Sequence, residues 1–430
     1  MMRRASLVAC LALTLLASPA SLAAAQSLST VEKAIAEHVD ARRDAAIELL
    51  ARAVDIPSAT ENHAGVRRVG DLFAAELSQL GFDARWVEMP PEVGRAGHLV
   101  AEHRGTAGKR LLLIGHLDTV LQGEPFRREG DRAFGSGVSD MKAGDVILVE
   151  ALRALHAAGA LENRQVIVVM TGDEEDTGKP YSVSRAALLE AAARSDVALA
   201  FEGYEPGTAV VGRRGFSSWH LEVTGSQGHS SGIFGEARGA GAIFEAARIL
   251  SAFYEELREP YLTYNPSVVL GGTDVAFDAA KFAGTASGKT NVVSRSVVAE
   301  GDMRFLTRAQ LENAREKMRA IVSRNLPRTS ATIAFTDGMP SMEPTEANRA
   351  LLGVLDACSQ ALGTGPMVAH DPSQRGAGDI SFVTRIAALD GLGALGLHEH
   401  APGELVQLGE MPNLTKRAAL LMYRLMWGAE

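Results

Sequence analysis

Three short runs of uninterrupted apolar residues restrict the fold of this chain more than any other feature. They span residues 111–114, 166–170 and 197–201. Continuous apolar runs of this length are typical of strands that are buried on both faces, as in parallel sheets. A helical pattern over residues 142–157 lies between the first two runs. This alternation predicts an α/β fold in which a mostly parallel sheet is covered by helices.

The pattern changes after Gly215, where strands and helices follow in the order β-α-β-β-α-β. That order is typical of the ferredoxin-like arrangement. The predicted elements lie near residues 218–223, 240–257, 268–270, 292–305, 308–324 and 331–335. We therefore predict a larger domain in two parts, residues 26–215 and 337–430, with a second domain inserted at 216–336.

Residues 1–25 have the pattern of an export signal peptide. Arg3 and Arg4 give a basic start, an apolar stretch follows at residues 5–17, and Ala23 and Ala25 form a small-residue cleavage motif. The apolar stretch is shorter than the roughly 20 residues that span a bilayer. We expect cleavage after Ala25 and a periplasmic or secreted protein without stable membrane insertion. Both the general and the twin-arginine export routes remain open.

The charge and the cysteine content of the chain argue against a nucleic-acid partner, a disulfide within the chain and a catalytic cysteine. The formal charge is -9, from 43 Lys and Arg and 52 Asp and Glu, and no stretch concentrates the basic residues. A nucleic-acid partner is therefore not predicted. After cleavage only Cys358 remains, so no disulfide can form within the chain. Cys358 shares an apolar helical stripe with leucines, which favours a place in the core over a catalytic role.

Polar side chains that can bind metals follow the ends of the apolar runs. In open parallel sheets this edge is where ligands bind. Each motif alone also has a structural explanation, such as a solvated loop or a helix N-terminus. Together, however, the acids would repel one another unless a cation neutralised them, and histidines with carboxylates but no thiolates suit zinc. The candidates are His116, Asp118, Asp140, the acidic run at residues 173–176, Glu202 and the segment at residues 398–404.

Taken together, these motifs resemble those of the co-catalytic di-zinc hydrolases. That family includes bacterial glutamate carboxypeptidase, succinyl-diaminopimelate desuccinylase, acetylornithine deacetylase and aminoacylase. The resemblance covers nearly the whole chain after residue 25, and it identifies the inserted domain as a lid and dimerisation domain. The matching motifs lie at residues 115–120, 135–144, 172–175, 212–215, 228–230 and 390–393, the last leading to His400.

The resemblance implies two zinc ions per chain, with Co²⁺ or Mn²⁺ as substitutes, that share one bridging ligand. Asp118 would orient the ligand His116 without binding metal itself. Glu174 would be the general base, and the peptide bond after Asp140 would be cis. The implied metal ligands are Asp140 as the bridge, His116 and Glu202 at one ion, and Glu175 and His400 at the other.

The terminal motif contains two histidines, and the spacing favours the second. Counted from residues 390–393, and with Glu404 four residues further on, His400 matches the family pattern better than His398. His398 is then expected in a loop or beside the substrate.

The inserted domain supplies candidates for substrate binding. The resemblance implies that His229 stabilises the oxyanion in the site of a partner subunit, and that Asn291 and Arg304 hold the free carboxylate of the substrate. A guanidinium group is well shaped for that task. Arg375 is a further candidate, for which a salt bridge to Asp379 is an equal alternative.

The sequence thus predicts an exported di-zinc exopeptidase, a homodimer that acts like glutamate carboxypeptidase on small peptides. An amidohydrolase of N-acyl amino acids is the close alternative, because both reactions cleave an amide beside a carboxylate. A catalytically inactive metal-binding or peptide-binding protein is an alternative of another class. The presence of Glu174 argues against it, since a binding protein does not need the base.

Overall fold

The computed structural model describes residues 27–428, so the predicted signal peptide lies outside the described residues. Within that range, no helix combines the length and the apolar character needed to cross a bilayer. The first part of the chain consists of α1 (Thr30–Ala41), α2 (Arg43–Val54), α3 (His63–Ser78), β1 (Asp83–Glu88), β2 (Gly97–His103), β3 (Ala107–His116), β4 (Arg127–Glu129), β5 (Arg132–Phe134), α4 (Gly144–Ala157), β6 (Arg164–Thr171), α5 (Tyr181–Ser184), α6 (Ala186–Ala193), β7 (Val197–Ala200) and β8 (Thr208–Ala209).

The middle part of the chain forms an antiparallel sheet with two helices. Its strands pair in the order β10-β13-β9-β14, which is the ferredoxin-like order. Both helices bury apolar residues against the sheet, with Phe253 and Met318 in one core with Trp219. The elements are β9 (Gly215–Gly225), α7 (Ala242–Glu256), β10 (Thr263–Gly272), β11 (Asp274–Asp278), β12 (Ala283–Ser287), β13 (Ser296–Phe305), α8 (Arg308–Val322) and β14 (Thr329–Asp337).

Two details of this part differ from the sequence prediction. The hairpin β11–β12 is an addition to the predicted elements. Every residue of β12 is exposed, so no apolar pattern marks that strand in the sequence. β13 begins at Ser296 rather than near residue 292. The preceding residues bond to other loops instead: the N–H of Val293 donates to Gly228, and Ser294 accepts from Ala242. The domain boundaries at residues 215 and 336 stay a prediction.

The last part of the chain returns to the first and completes its sheet. Six strands pair in the order β1-β2-β6-β3-β7-β16, and β6, β3, β7 and β16 run parallel. This mostly parallel sheet confirms the predicted fold class. The returning elements are α9 (Glu346–Ala361), β15 (Val368–Ala369), β16 (Ala387–Leu389), β17 (Gly396–Leu397), β18 (Leu405–Gln407) and α10 (Met411–Trp427).

Both faces of the central sheet are buried, which explains the uninterrupted apolar runs. Leu111 and Leu113 of β3 pack on one face in the core that includes α1 to α4 and α10. Leu112 and Ile114 pack on the other face with α6 and the 380–383 segment. Fully burying such a side chain stabilises the fold by roughly 1.5–3 kcal/mol. Because β3 pairs with both β6 and β7, the carboxyl ends of all three strands meet at one edge.

Candidate metal centre

The side chains predicted to bind metal meet at the carboxyl edge of the central sheet. His116 is the last residue of β3, Glu202 follows β7, and Glu175 lies in the turn after β6. Asp140 lies in an irregular helical turn, Val138–Ala143, directly before α4. The peptide bond after Asp140 is cis, as the resemblance implies. His400 enters from the loop between β17 and β18.

Asp140 lies between two histidines, with one carboxylate oxygen facing each. Oδ1 is 3.1 Å from Nε2 of His116, and Oδ2 is 3.0 Å from Nε2 of His400. Oε2 of Glu175 is 3.1 Å from the same atom of His400. Oε1 of Glu202 is 3.8 Å from Nε2 of His116. The cluster therefore consists of two half-sites that share Asp140.

This donor set fits divalent metal ions. Ligand atoms of His116, Asp140 and Glu175 all lie within 4.8 Å of one another, and so do those of His116, Glu174 and Glu202. Within the described part of the chain, Oε1 of Glu175 is buried and has no hydrogen-bond partner. Such an oxygen is costly to bury unless a cation or a donor compensates it. Imidazole nitrogens combined with carboxylate oxygens are a common ligand set for zinc.

Burial and mutual repulsion disfavour the ionised form of two acids in the cluster, Glu174 and Glu202. Burial raises the pKa of Glu202 to about 8. Burial, together with the charge of Glu202, raises the pKa of Glu174 well above its usual range. For Asp140, hydrogen bonds from His116 and His400 outweigh burial and lower the pKa of its carboxyl. A bound dication would favour the ionised form of every one of these acids.

Asp118 supports the cluster in two ways. Its backbone carbonyl lies 2.9 Å from Nδ1 of His116 and accepts a hydrogen bond there, which leaves Nε2 available to a metal ion. Its carboxylate is 3.6 Å from that nitrogen and accepts the N–H groups of Glu174 and Glu175 at 2.9 and 3.1 Å. The hydroxyl of Thr60 donates to the same carboxylate at 2.7 Å. The carboxylate of Asp118 therefore fixes the turn of the two glutamates, a role that the sequence did not predict.

A buried ion network holds the residue that precedes Glu174. Arg185 and Asp173 are 0% exposed and Asp379 is 3% exposed. Nη1 of Arg185 lies 2.5 Å from Oδ1 of Asp173, and its Nε lies 2.6 Å from Oδ1 of Asp379. Asp173 also accepts hydrogen bonds from the hydroxyl of Ser184 and from a backbone N–H. The network joins the acidic turn after β6 to the glycine-rich segment at residues 375–379.

Replacing Arg185 with methionine should lower the free energy of unfolding by roughly 3–5 kcal/mol, because it leaves two carboxylates buried without a counter-charge. Urea denaturation of the purified protein measures the change. Arg43→Met is the matched control: Arg43 pairs with Asp131 at the surface, both side chains being about half exposed. That pair should contribute at most about 1 kcal/mol. Equal losses in the two variants would contradict a special role of the buried network.

The three candidates of the inserted domain lie apart from the cluster in a single chain. Nδ1 of His229 is 2.8 Å from the hydroxyl of Ser231. The carbonyl of Asn291 accepts the N–H of the residue after His229 at 2.9 Å. Nε of Arg304 is 2.9 Å from Oδ2 of Asp302. Among residues 27–428, no hydrogen bond or ion pair joins these three side chains to the metal-binding cluster.

Two other candidates have the places that the sequence favoured. Both histidines of the terminal loop are exposed, but Nε2 of His400 lies 3.0 Å from Oδ2 of Asp140, whereas no hydrogen bond or ion pair among residues 27–428 joins the side chain of His398 to the cluster. Cys358 is 0% exposed inside the main core, and burial raises the pKa of its thiol to about 12. A thiol in this environment is not poised as a nucleophile.

The alternative for Arg375, a salt bridge to Asp379, is wrong. Nη2 of Arg375 donates to the carbonyl of Gly203 at 2.7 Å. Asp379 instead pairs with Arg185, which is buried beside it. Arg375 is half-buried and is held by its bond to the residue after Glu202.

Sequence reasoning missed two charged residues near the centre. Arg213 is 6% exposed, and its Nε lies 3.2 Å from Oδ2 of Asp390. Its positive charge partly offsets the effect of burial on the pKa of Glu202. Glu404 accepts three backbone hydrogen bonds from the loop that carries Asp140. Both belong to motifs noted in the sequence, but motif membership does not tell what a side chain contacts.

Known proteins with similar sequences and folds are hydrolases. The chain is 26% identical to carboxypeptidase G2 of Pseudomonas sp. (strain RS-16) over 318 residues, 72% of this chain and 71% of that protein. It is 27% identical to succinyl-diaminopimelate desuccinylase of Gluconacetobacter diazotrophicus over 400 residues, 89% of this chain and 97% of that protein. In fold it is similar to aminopeptidase PepT of Bacillus cereus, with a TM-score of 0.70 and 17% identity over 89% of this chain and 98% of that one.

The family assignment rests on a match that spans most of the chain. The model of peptidase family M20/M25/M40 matches residues 112–424. A dinuclear metal-binding M20 peptidase of Bacillus subtilis shares the fold, with a TM-score of 0.62 and 13% identity over 90% of this chain and 99% of that one. The match includes both halves of the metal-binding cluster and the whole inserted domain. The chain therefore belongs to peptidase family M20/M25/M40, a family of metal-dependent peptidases and amidohydrolases.

Proposed function

We propose that this chain is an exported di-zinc exopeptidase that cleaves an amide bond next to a free carboxylate, as a glutamate carboxypeptidase does. One observation carries the proposal: the two oxygens of Asp140 face the ring nitrogens of His116 and His400 at 3.1 and 3.0 Å. Similarity to carboxypeptidase G2 supports the substrate class. The basic, apolar and small-residue pattern of residues 1–25 supports export to the periplasm or the medium.

The residues of the cluster divide into two ligand sets. His116 and Glu202 would hold one ion and His400 and Glu175 the other, with Asp140 shared by both. Two such ions would polarise the carbonyl group of the substrate and would lower the pKa of water toward neutral pH. The mixed nitrogen and oxygen ligands suit zinc, and Co²⁺ or Mn²⁺ would be substitutes.

Glu174 is the proposed general base. Its carboxyl lies beside the cluster, and its backbone N–H is held by Asp118 at 2.9 Å. In this role the carboxylate takes a proton from the attacking water and delivers it to the nitrogen of the leaving amine. Because Glu174 and Glu175 are adjacent and share the same anchor, one side chain can serve the proton transfer while the other binds metal.

The inserted domain would supply the groups that recognise the substrate. Arg304 is partly exposed on β13. Among residues 27–428 its guanidinium forms an ion pair with Asp302 of its own strand and lies 5.1 Å from the centre of the Phe216 ring. Its terminal nitrogens would then be available to a carboxylate of the substrate. Asn291 lies next to the loop between β9 and α7, residues 226–241, which carries His229 and is called the His229 loop below, and Asn291 would assist. His229 would stabilise the oxyanion in the site of a second subunit, which makes the working form a homodimer.

An N-acyl-amino-acid amidohydrolase is the second candidate function. The observation that favours it is the similarity to succinyl-diaminopimelate desuccinylase, which extends over 89% of this chain. Its products also carry a free carboxylate, so the same Arg304 would bind them. A catalytically inactive binding protein is disfavoured, because the chain retains Glu174 beside an intact ligand set.

Hydrolysis of a substrate panel before and after removal of metal tests the proposal. We expect up to two zinc ions per chain by metal analysis, release of the C-terminal residue from glutamate-terminated dipeptides and folyl-glutamates, and loss of all hydrolysis on chelation. Zinc should restore the activity. Faster hydrolysis of N-acyl amino acids than of any peptide would select the second candidate. Full activity in metal-free protein would rule out both.

A further inference from the structure

Glu404 is a buried acid that is 5% exposed. Among residues 27–428, its carboxylate makes no hydrogen bond or ion pair with a charged side chain of the cluster. Its Oε2 accepts the N–H of Gly137 at 2.7 Å, and its Oε1 accepts the N–H groups of Ser139 and Asp140 at 2.8 and 2.9 Å. Three backbone donors of one short turn thus converge on a single carboxylate.

These bonds act on the bridging ligand directly, because one of the three donors is the backbone N–H of Asp140 itself. The turn departs from regular helical geometry at Asp140, and Gly137 enters it with a φ of 71°, in the left-handed region. The turn's own helical pattern therefore does not fix where Asp140 points. The carboxylate of Glu404 compensates for this by holding the N–H groups of Ser139 and Asp140, which belong to the two peptide groups that flank Ser139.

Glu404 also couples the two half-sites. It lies immediately before β18, which pairs with β5 through Leu405 and Phe134, and its carbonyl accepts the N–H of Gly135 at 3.3 Å. His400 lies four residues earlier in the same segment, with its Nε2 3.0 Å from Oδ2 of Asp140. One segment therefore carries the ligand of one ion and holds the ligand shared by both.

We propose that Glu404 is a positioning residue that fixes the bridging carboxylate of Asp140 and thereby sets the affinity of the centre for its metals. The inference rests on the proposed metal-dependent function and adds to it a residue that is not a ligand. All three groups that the carboxylate faces are donors, so both of its oxygens act as acceptors. An amide of the same shape would turn an NH₂ group toward at least one of these N–H groups.

The test measures the affinity of the apo-protein for Zn²⁺ by competition with a chelator. Glu404→Gln should bind zinc roughly 10–100-fold more weakly than the unmodified chain, the usual scale when a supporting hydrogen bond to a ligand is lost. Substitution by Co²⁺ should give a changed visible spectrum, since the ligand geometry changes. Glu410→Gln is the matched control: Glu410 is an exposed acid six residues further along, and it should leave the affinity within about twofold.

The outcomes separate this inference from the proposed function. If the unmodified chain binds no zinc, the proposed function fails. If it binds zinc and Glu404→Gln binds equally tightly with an unchanged Co²⁺ spectrum, only the role of Glu404 is overturned, even where the thermal stability falls. Should Glu404→Gln not fold, Glu404→Asp decides the matter, because it keeps the charge but withdraws the oxygens by one methylene. Its zinc affinity should fall by a smaller factor, and an unchanged affinity would overturn the inference.

Discussion

Replacing Glu174 with glutamine should lower kcat by roughly 10²–10⁴-fold while both metal ions stay bound, the usual scale for loss of an acid–base catalyst. Glutamine keeps the shape of the side chain and the bonds around it, including the N–H that donates to Asp118. It removes only the capacity to take a proton. Steady-state kinetics on the best peptide substrate and metal analysis of the same sample measure the two effects.

Glu175→Gln is the matched comparison on the adjacent residue. Oε2 of Glu175 lies 3.1 Å from Nε2 of His400, and its other oxygen is buried without a partner, as expected of a metal ligand. This variant should lose metal as well as activity. The opposite pattern, metal loss in Glu174→Gln and full occupancy in Glu175→Gln, would reverse the two roles. That reversal is a real alternative, because Glu174 also lies within 4.8 Å of ligand atoms of His116 and Glu202.

The central sheet follows from the sequence because its strands have two buried faces. Neighbouring residues such as Leu112 and Leu113 point into different cores and are both 0% exposed. Only a strand covered on both sides requires an uninterrupted apolar run. Once such strands are parallel, the polar residues that follow them meet at one edge, and this is why His116 and Glu202 could be placed together from the sequence.

The supporting contacts of the centre could not be predicted in the same way. The closeness of Arg375 and Asp379 in the sequence makes a salt bridge between them one of two alternatives for Arg375, but Asp379 pairs with Arg185, which is distant in the sequence. The contact of Glu404 with the turn at residues 137–140 likewise joins segments far apart along the chain. Periodicity and spacing report on local structure, whereas these pairs depend on how the returning segment is packed against the first.

Local sequence patterns likewise predict only part of the inserted domain. Its β-α-β-β-α-β order could be read from the alternation of apolar and polar residues, since α7 and α8 each bury one face. The strand β12 could not, because all of its residues are exposed and a strand without a buried face carries no such pattern. Nor does the sequence show whether His229 acts in its own chain. Within a single chain its described contacts stay inside the inserted domain, with Ser231 of its own loop and with Val292, which precedes β13.

An exposed apolar patch beside the His229 loop supports a shared active site. The patch consists of Phe234, Ile243 and Phe244, which are 70%, 49% and 53% exposed. The rings of the two phenylalanines contact each other at 5.6 Å. Phe234 follows His229 in the same loop, and the other two lie on α7. A second copy that covered this patch would form a symmetric contact and bring the His229 loop to the interface.

If His229 acts in the partner's site, two inactive variants should restore activity to each other. His229→Ala and Glu174→Gln should each be nearly inactive as homodimers, because one lacks the oxyanion donor and the other lacks the base. In a mixed dimer, the His229→Ala chain keeps Glu174 and receives His229 from its partner, which makes one working site. Random pairing makes half of the dimers mixed, so co-expression should return about a quarter of the unmodified activity.

The mixed dimers must be isolated with two different affinity tags, so that the measured rate belongs to a known species. Their kcat per dimer should then be about half that of the unmodified dimer, with an unchanged KM, since one of the two sites is complete. Co-expressed His229→Ala and His229→Asn chains are the matched control and should show no recovery, because neither supplies the imidazole. Mixed dimers that remain as inactive as their parents would place His229 in its own chain's site or outside catalysis.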